Sequence, residues 1–389
     1  MSDRTYLDWN ATAPLRSAAR SATLAALDAT GNPSSVHAEG RAARRLIEEA
    51  RERVAALVAA EPRNVVFTSG GTEANMLALT PATATARERL LVSAIEHPSV
   101  LAGGRFQAAA VERLPVNGSG QIDLSALERR LAVPGDKAQG SPTLVSLMLA
   151  NNETGVVQPI SQAARLVHAA GFLLHVDAVQ AVGRISCDIN ALGADLLTVS
   201  GHKIGAPKGV GALIRRDAAL AIADPLIKGG GQERGARAGT ENVAGIAGFG
   251  AAAAAALADL AADRERMIAL RDRLEARLAA ASPEIVIFGA ETERVPNTTL
   301  FSMPGMKAET AIIAFDLEGV AVSAGAACSS GKVQPSHVLA AMGVPPQLAG
   351  GAIRVSLGPT TTEFEIDRFI DAWITVSGAL VKGSQGIAA

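Results

Sequence analysis

Cysteine is scarce in this 389-residue sequence, with two residues, Cys187 and Cys328. Two thiols in a chain this long do not make a disulfide framework, which favours a reducing compartment. Long apolar runs are missing as well. The longest, Val243 to Ala258 ("VAGIAGFGAAAAAALA"), is mostly Ala and Gly and shorter than a membrane span of about 20 residues, so a tightly packed buried helix is expected there. The opening "MSDRTYLDWN" has no apolar stretch of the kind a secretory signal needs. A net charge of −2 makes no electrostatic case for nucleic acid or an anionic membrane as partner. The expectation is a cytoplasmic protein without either partner.

What is present describes an ordered globular chain, 48% hydrophobic and 19% charged, with length enough for two to three domains. Between about residues 60 and 215, short apolar runs alternate with helical patterns: "NVVFTS", "RLLVSAI", "TLVSLMLA", "FLLHVDA", "DLLTVSG" and "GVGALIRR". Continuous apolar strands separated by helices predict a mainly parallel sheet covered on both faces. The runs end in polar residues, among them Glu96-His97, Asn151-Asn152-Glu153, Asp177 and Ser200-Gly201-His202-Lys203. Ligands of open α/β sheets sit at the carboxyl ends of the strands, so these residues are expected to share one site. A long helical pattern runs from Glu241 to about Ala281, with Met267, Leu270, Leu274 and Leu278 at 3–4 spacing until Pro283. Beyond it "EIVIFG", "TTLFSM", "GVAVSAG" and "AIRVSLG" read as strands of a second, smaller α/β unit from about residue 256.

Asp177 in "HVDAVQ" and Lys203 in "SGHK" each follow a predicted strand. Taken singly, Asp177 reads as a helix N-cap and Lys203 as a solvated lysine. His175 and Asp177 do not make a metal site, because no cluster of further ligands is evident. Taken together they match what pyridoxal phosphate needs, a lysine for a Schiff base and an acid that keeps the pyridine nitrogen protonated. "TSGGTEAN" adds a strand, a Gly-rich turn and a helix starting near Thr72, where N–H groups and the helix dipole could bind phosphate; alone, it is equally an ordinary βα turn. Neither G-x-G-x-x-G nor G-x-x-x-x-G-K-[ST] is present there.

With "YLDWNATAP", "GNPSSVHAEGR", "FTSGGTEAN", "EHPSV", "NNETGVVQPI", "HVDAVQAVGRI", "SGHKIGAPKGVGAL", "GGGQERGARAGTENV", "CSSG" and "IRVSLGPTTT", the chain resembles the cysteine desulfurases of the NifS/IscS type, class V members of the fold-type-I pyridoxal phosphate enzymes. The resemblance runs from Tyr6 to about Thr362. It implies an α/β fold with a mainly parallel seven-stranded sheet in a large domain, residues 13–255, and a smaller α/β domain from residues 1–12 and 256–389 that carries a catalytic cysteine loop. Lys203 is implied as the Schiff-base lysine and proton shuttle. Asp177 is implied at the pyridine nitrogen, Gln180 at the ring's phenolic oxygen and His97 on the ring face. Gly71, Thr72, Ser200 and His202 are implied as phosphate holders, with Thr240 reaching the phosphate of the neighbouring subunit of a homodimer. Asn152, Arg354 and nearby Asn10 are implied as substrate holders, and Asn152 also as a cofactor contact. An arginine fork suits an amino-acid carboxylate.

The implied reaction removes sulfur from L-cysteine, leaves a persulfide on Cys328 and releases L-alanine, with the sulfur passed to an iron–sulfur scaffold or another acceptor protein. Thiols titrate near ~8.5, so a neighbour must raise the thiolate fraction, and His97 is the candidate. Cys328 is also a candidate transient iron–sulfur ligand, its loop is expected to be mobile, and "GGGQERGARAGTENV" leans toward the nitrogen-fixation branch. "GGGQERGAR" is implied at the active-site mouth and dimer contact, and Cys187 is expected to be a packed small hydrophobe. Where the family commonly has Ser-Ser-Gly-Ser-Ala-Cys, this chain has Ser323-Ala324-Gly325-Ala326-Ala327-Cys328; Trp9 is bulkier than expected beside Asn10, and Ala13 replaces a common Thr. The alternatives are a selenocysteine lyase, another class V aminotransferase, or a non-enzymatic partner that kept the fold.

Overall fold

A computed structural model describes residues 4–81, 89–132, 143–220, 222, 224–325 and 335–385. Its strands in chain order are β1 (Thr5–Tyr6), β2 (Val65–Thr68), β3 (Arg89–Ser93), β4 (Val111–Leu114), β5 (Thr143–Met148), β6 (Leu173–Asp177), β7 (Leu196–Ser200), β8 (Gly211–Arg215), β9 (Val286–Ile287), β10 (Thr298–Ser302), β11 (Val320–Ala321), β12 (Ser323–Ala324) and β13 (Ile353–Ser356). Seven of them form one sheet in the order β2-β8-β7-β6-β5-β3-β4. The pairs from β7 through β4 are parallel, while β8 runs antiparallel to both β7 and β2. Nearly every residue of β5, β6 and β7 is buried, as continuous apolar runs in a sheet covered on both faces require.

The six apolar runs all form strands of this sheet, and β4 is an addition. Its sequence, "VERL", is half charged and lies at the sheet edge against β3 alone; edge strands tolerate charge and so lose the apolar signal. Register places Met148 opposite Asp177, and Asp177 opposite Thr198. The ends of β5, β6 and β7 thereby lie level, which brings their polar residues to one rim.

The helical pattern expected as one element is two helices, Val243–Ala258 and Leu260–Ala281, bent by 70° at the break. The first is apolar around most of its circumference and packs into the core of the large sheet through Ile246, Phe249, Ala252, Ala253 and Ala256. The second buries one stripe, Met267, Leu270, Leu274 and Leu278. The chain turns where the surface to be buried changes, and Arg16 Nη1 binds Asp259 Oδ2 there at 3.2 Å. Among the described residues no single helix is long and apolar enough to cross a membrane.

The second apolar core gathers around the sheet β12-β13-β10-β9, whose pairs are antiparallel. Phe301, Phe315, Phe369 and Trp373 fill it, with Phe301 and Trp373 edge to face at 5.2 Å. Leu7 belongs to this core although it lies near the start of the chain, because β1 pairs in parallel with β11. That pairing delivers Asp8, Trp9 and Asn10 to the junction between the two sheets, where Asn10 N donates to Ser356 Oγ at 3.0 Å.

Candidate active site

A cavity of about 220 Å³ opens at the carboxyl ends of β5, β6 and β7. One end is formed by Gly71 and Thr72, which begin the helix Gly71–Ala78, together with Ser200 and His202. The first N–H groups of a helix have no partner within it, and no side chain caps this one. Gly71 sits in a tight place, where a Cβ would stand 3.1 Å from Val179 Cγ2 and 3.3 Å from Ser200 Cβ. His202 Nδ1 lies 3.2 Å from Thr12 Oγ1. Burial, then the cations Lys203, Lys208 and Arg184, push its imidazole down to about 4.

Asp177 lines the same cavity. Its Oδ1 accepts from Val179 N at 3.0 Å and its Oδ2 from Asn75 Nδ2 at 2.8 Å. Asn75 Nδ2 also donates to Ser99 Oγ at 2.9 Å, and Asn75 Oδ1 is buried without a partner. Two residues earlier in β6, His175 is fully buried, with Nδ1 2.7 Å from Ser146 Oγ and Nε2 2.9 Å from Thr198 Oγ1. Burial drives it down to about 4, with Asp177 opposing, so it is a neutral core histidine. Among the described residues no group of His, Cys, Asp or Glu could hold a metal ion.

His97 caps the short helix Pro98–Leu101, its Nδ1 accepting from Ser99 N at 3.1 Å. Nδ1 is thereby the acceptor, and in the neutral ring the proton sits on Nε2. Burial lowers its pKa, Asp177 opposes that, and Lys203 and His337 lower it further.

Lys203 ends the turn after β7 and donates from Nζ to Asn10 O at 2.5 Å and Ala11 O at 3.0 Å. Burial, then the charges of Arg354 and Arg184, push it down to about 7, with Asp8 and Asp177 opposing. Gln180 Nε2 donates to the same Asn10 O at 3.0 Å. Asn10 is buried, with Nδ2 donating to Thr298 Oγ1 at 2.9 Å and Oδ1 accepting from Asn297 Nδ2 at 3.1 Å. Arg354, in β13, donates from Nη1 to Asn152 O at 2.9 Å and from Nη2 to Asp8 Oδ1 at 2.8 Å, while its buried Nε has no partner.

The structure therefore brings Gly71, Thr72, His97, Asn152, Asp177, Gln180, Ser200, His202 and Lys203 to one cavity, with Asn10 and Arg354 one contact away. Thr240 is exposed and does not line it. Cys328 lies outside the described residues. Cys187 is a buried free thiol, pushed up to about 12 by burial. Asn75, Ser99, Asp8 and Arg184 received no role from the sequence, although each lies in a segment that carried the resemblance: Asn75, Ser99 and Asp8 act on residues remote in the chain, and Arg184 on Gln180 four residues before it.

These residues fit pyridoxal 5'-phosphate. An uncapped helix start at a glycine suits its phosphate, a buried carboxylate held by two donors suits its ring nitrogen, and a lysine with a depressed pKa suits its aldehyde.

The family model described as aminotransferase class-V matches residues 5–369. The chain is 44% identical to a cysteine desulfurase of Cereibacter sphaeroides over 95% of its own length and 94% of that protein's. It is 40% identical to the cysteine desulfurase NifS of Azotobacter vinelandii, over 94% and 90%. The crystal structure of a NifS-like protein from Rickettsia africae superposes with a TM-score of 0.88 at 36% identity, covering 97% of this chain and all of that one. A seven-stranded, mostly parallel sheet with a lysine and an aspartate at its carboxyl rim, found in a chain that matches this model nearly end to end, makes this protein a pyridoxal 5'-phosphate-dependent member of the class-V aminotransferase family.

Proposed function

We propose that the chain is a cysteine desulfurase, which takes the sulfur of L-cysteine, releases L-alanine and hands the sulfur to an acceptor protein. The observation that carries this reading is Lys203, a half-buried amine depressed to about 7 in the same cavity as Asp177, in a chain 40–44% identical to cysteine desulfurases.

Bound pyridoxal phosphate supplies an electron sink for charge released at the substrate's Cα. The chain's own residues do the rest. Arg354 and the Asn152 side chain receive the substrate carboxylate and orient Cα. Lys203, largely uncharged just above neutral pH, takes the Cα proton and later returns it. Asp177, fixed by Asn75 and the Val179 amide, holds the proton of the ring nitrogen. His97 lines the cavity with its proton on Nε2 and a pKa depressed by burial, so it presents a neutral imidazole whose N–H can be given up or regained during the reaction. The Cys328 thiolate attacks the substrate sulfur: an S–S bond forms, the substrate's C–S bond breaks, and its carbon is protonated to give alanine.

A homodimer with Thr240 serving the neighbouring site is supported by Thr240's exposure away from its own cavity. Delivery to iron–sulfur assembly, and to nitrogenase maturation in particular, is supported by the NifS relative.

The test is purified protein with L-cysteine and a thiol reductant. Sulfide and alanine should appear in equal amounts, and Cys328→Ala should keep the cofactor's visible absorbance while losing sulfide release. Normal turnover by that variant, or alanine without sulfur, would reject the reading. Faster turnover of L-selenocysteine than of L-cysteine would redirect it to a lyase.

A further inference from the structure

Arg184 is buried, at 5% exposure, and its charge has no carboxylate against it. Its Nη1 donates to Gln180 O and to Gln180 Oε1, both at 2.5 Å, and the guanidinium makes no other hydrogen bond or ion pair among the described residues. It lines a cavity of about 530 Å³ that Lys203 and Arg16 also line. Arg16 is matched there by Asp259 at 3.2 Å and Asp263 at 3.7 Å. Arg354 is matched by Asp8 at 2.8 Å. Arg184 alone of the three is left unmatched.

Burying a cation without a counter-charge is costly, and Gln180 needs no full charge to be satisfied. What the guanidinium does dictate is direction. It has donors only, so the amide oxygen of Gln180 must face it, and the amide nitrogen must face away. Nε2 is found there, donating to Asn10 O at 3.0 Å, and the same carbonyl accepts from Lys203 Nζ at 2.5 Å. One chain of contacts thus runs from Arg184 through Gln180 and Asn10 to Lys203.

We propose that Arg184 is a positioning residue, which through Gln180 turns an amide N–H toward Asn10 O and the cofactor cavity and, by its unmatched charge, keeps Lys203 in the amine form that reacts with pyridoxal phosphate. The proposal rests on the reading of Lys203 as the cofactor's lysine. The charged groups facing Lys203 are Arg354, Arg184, Asp8 and Asp177, with His97 and His202 beside it. After burial, Arg354 and Arg184 act to depress it, and the two carboxylates oppose them. Arg354 acts more strongly than Arg184 but carries its own carboxylate, so removing Arg184 takes away a repulsion that no ion pair of its own offsets. Lys203 then holds its proton to higher pH.

The experiment compares the full-length protein, stripped of cofactor, with Arg184→Met, Arg184→Gln and Arg184→Lys. Lys203 is labelled competitively with acetic anhydride across pH, and its peptide is quantified by mass spectrometry. The midpoint should lie near that of the parent in Arg184→Lys and about one unit higher in Arg184→Met and Arg184→Gln. Schiff-base formation with added pyridoxal 5'-phosphate at neutral pH should slow about tenfold in the neutral variants and recover as pH is raised. Coincident midpoints in a neutral variant with a native circular dichroism spectrum would overturn the proposal. So would failure of both neutral variants to fold, which would make Arg184 a structural residue. Lys203→Ala separates this from the reading beneath it: if that variant still forms the Schiff base, the assignment of Lys203 fails whatever Arg184 does.

Discussion

Arg354 Nη2 donates to Asp8 Oδ1 at 2.8 Å, joining β13 to a residue 346 positions earlier in the chain. Its Nη1 is held by Asn152 O and its buried Nε is unpartnered. An arginine gripped by one carboxylate and still short of an acceptor is prepared for a second. Arg354→Lys removes the fork and leaves a point charge. The expected result is a KM for L-cysteine raised about 10- to 100-fold, the loss of one or two charged hydrogen bonds, with unchanged cofactor absorbance. An unaltered KM would remove Arg354 from substrate binding.

Glu153 gives the stability a pH dependence. Its Oε2 accepts from Ser336 Oγ at 2.5 Å, and burial pushes its pKa from 4.5 to about 7, against that hydrogen bond and the charge of Arg354. A carboxyl raised in the folded state contributes most below its unfolded pKa and loses that contribution as pH rises through its folded one. Stability should therefore fall by about 3 kcal/mol between about pH 4.5 and pH 7 or slightly above. Glu153→Gln should flatten this segment, measured as urea midpoints at about pH 5 and about pH 8. An equal slope in the variant would show that the carboxyl is not the source.

His175 sets the opposite slope. A histidine depressed to about 4 by burial supports the fold above its unfolded range, and that support is lost as pH falls from about 6.5 toward 4. His175→Phe should reduce this acid-side loss, to which His202 and His97 also contribute, but leave the Ser146 and Thr198 hydroxyls unsatisfied, costing about 1–3 kcal/mol at neutral pH. Thermal melts across the acid range test both halves, and a variant as stable as the parent at pH 7 would contradict the second.

Trp9 lies on Gly358, where a Cβ would come within 1.9 Å of its Cδ2. Trp9 is 8% exposed, its Nε1 donates to Tyr6 O at 3.2 Å, and it lines the larger cavity beside the cofactor site, not the cofactor cavity itself. Gly358→Ala should cost about 1–3 kcal/mol through overpacking. Trp9→Leu should absorb most of that, so that the double variant is more stable than the sum of the single changes predicts. Additive melting temperatures would show that the two residues are not in contact.

Glu233 lies in "GGGQERGAR", where the sequence placed a mouth and dimer contact, yet its carboxylate points into its own subunit. Both oxygens accept from Arg51 at 2.8 Å, Oε2 also accepts from Phe67 N at 2.8 Å, and the backbone is left-handed at φ 46°. Glu233→Gln should cost about 3–5 kcal/mol by leaving Arg51 buried with a lost partner. A loss below about 1 kcal/mol in chemical unfolding would mean that the pair is not the anchor of this loop.

The strands of the large sheet were legible because a doubly covered sheet demands unbroken apolar runs, and its rim because those runs end in polar residues. Asp177 and Lys203 could be paired from their chemistry alone. β4 escaped because an edge strand may carry Glu112 and Arg113, and the bend at Asp259 because helical periodicity continues on both sides of it. Asn75, Asp8 and Glu233 were beyond reach for a common reason: each is defined by a partner that only the folded chain brings near.

Asn10 bears on how this protein can be engineered. Its carbonyl receives Lys203 and Gln180, while its side chain is fastened to Thr298 and Asn297. The start of the chain thus helps to hold the lysine of the cavity, threaded between the two sheets after β1. Tags and fusion partners belong ahead of Thr5, where they leave the β1–β11 pairing intact. Deletions reaching past Tyr6, or a circular permutation that opens the chain between Tyr6 and Thr12, would release the lysine's acceptors along with the β1–β11 pairing.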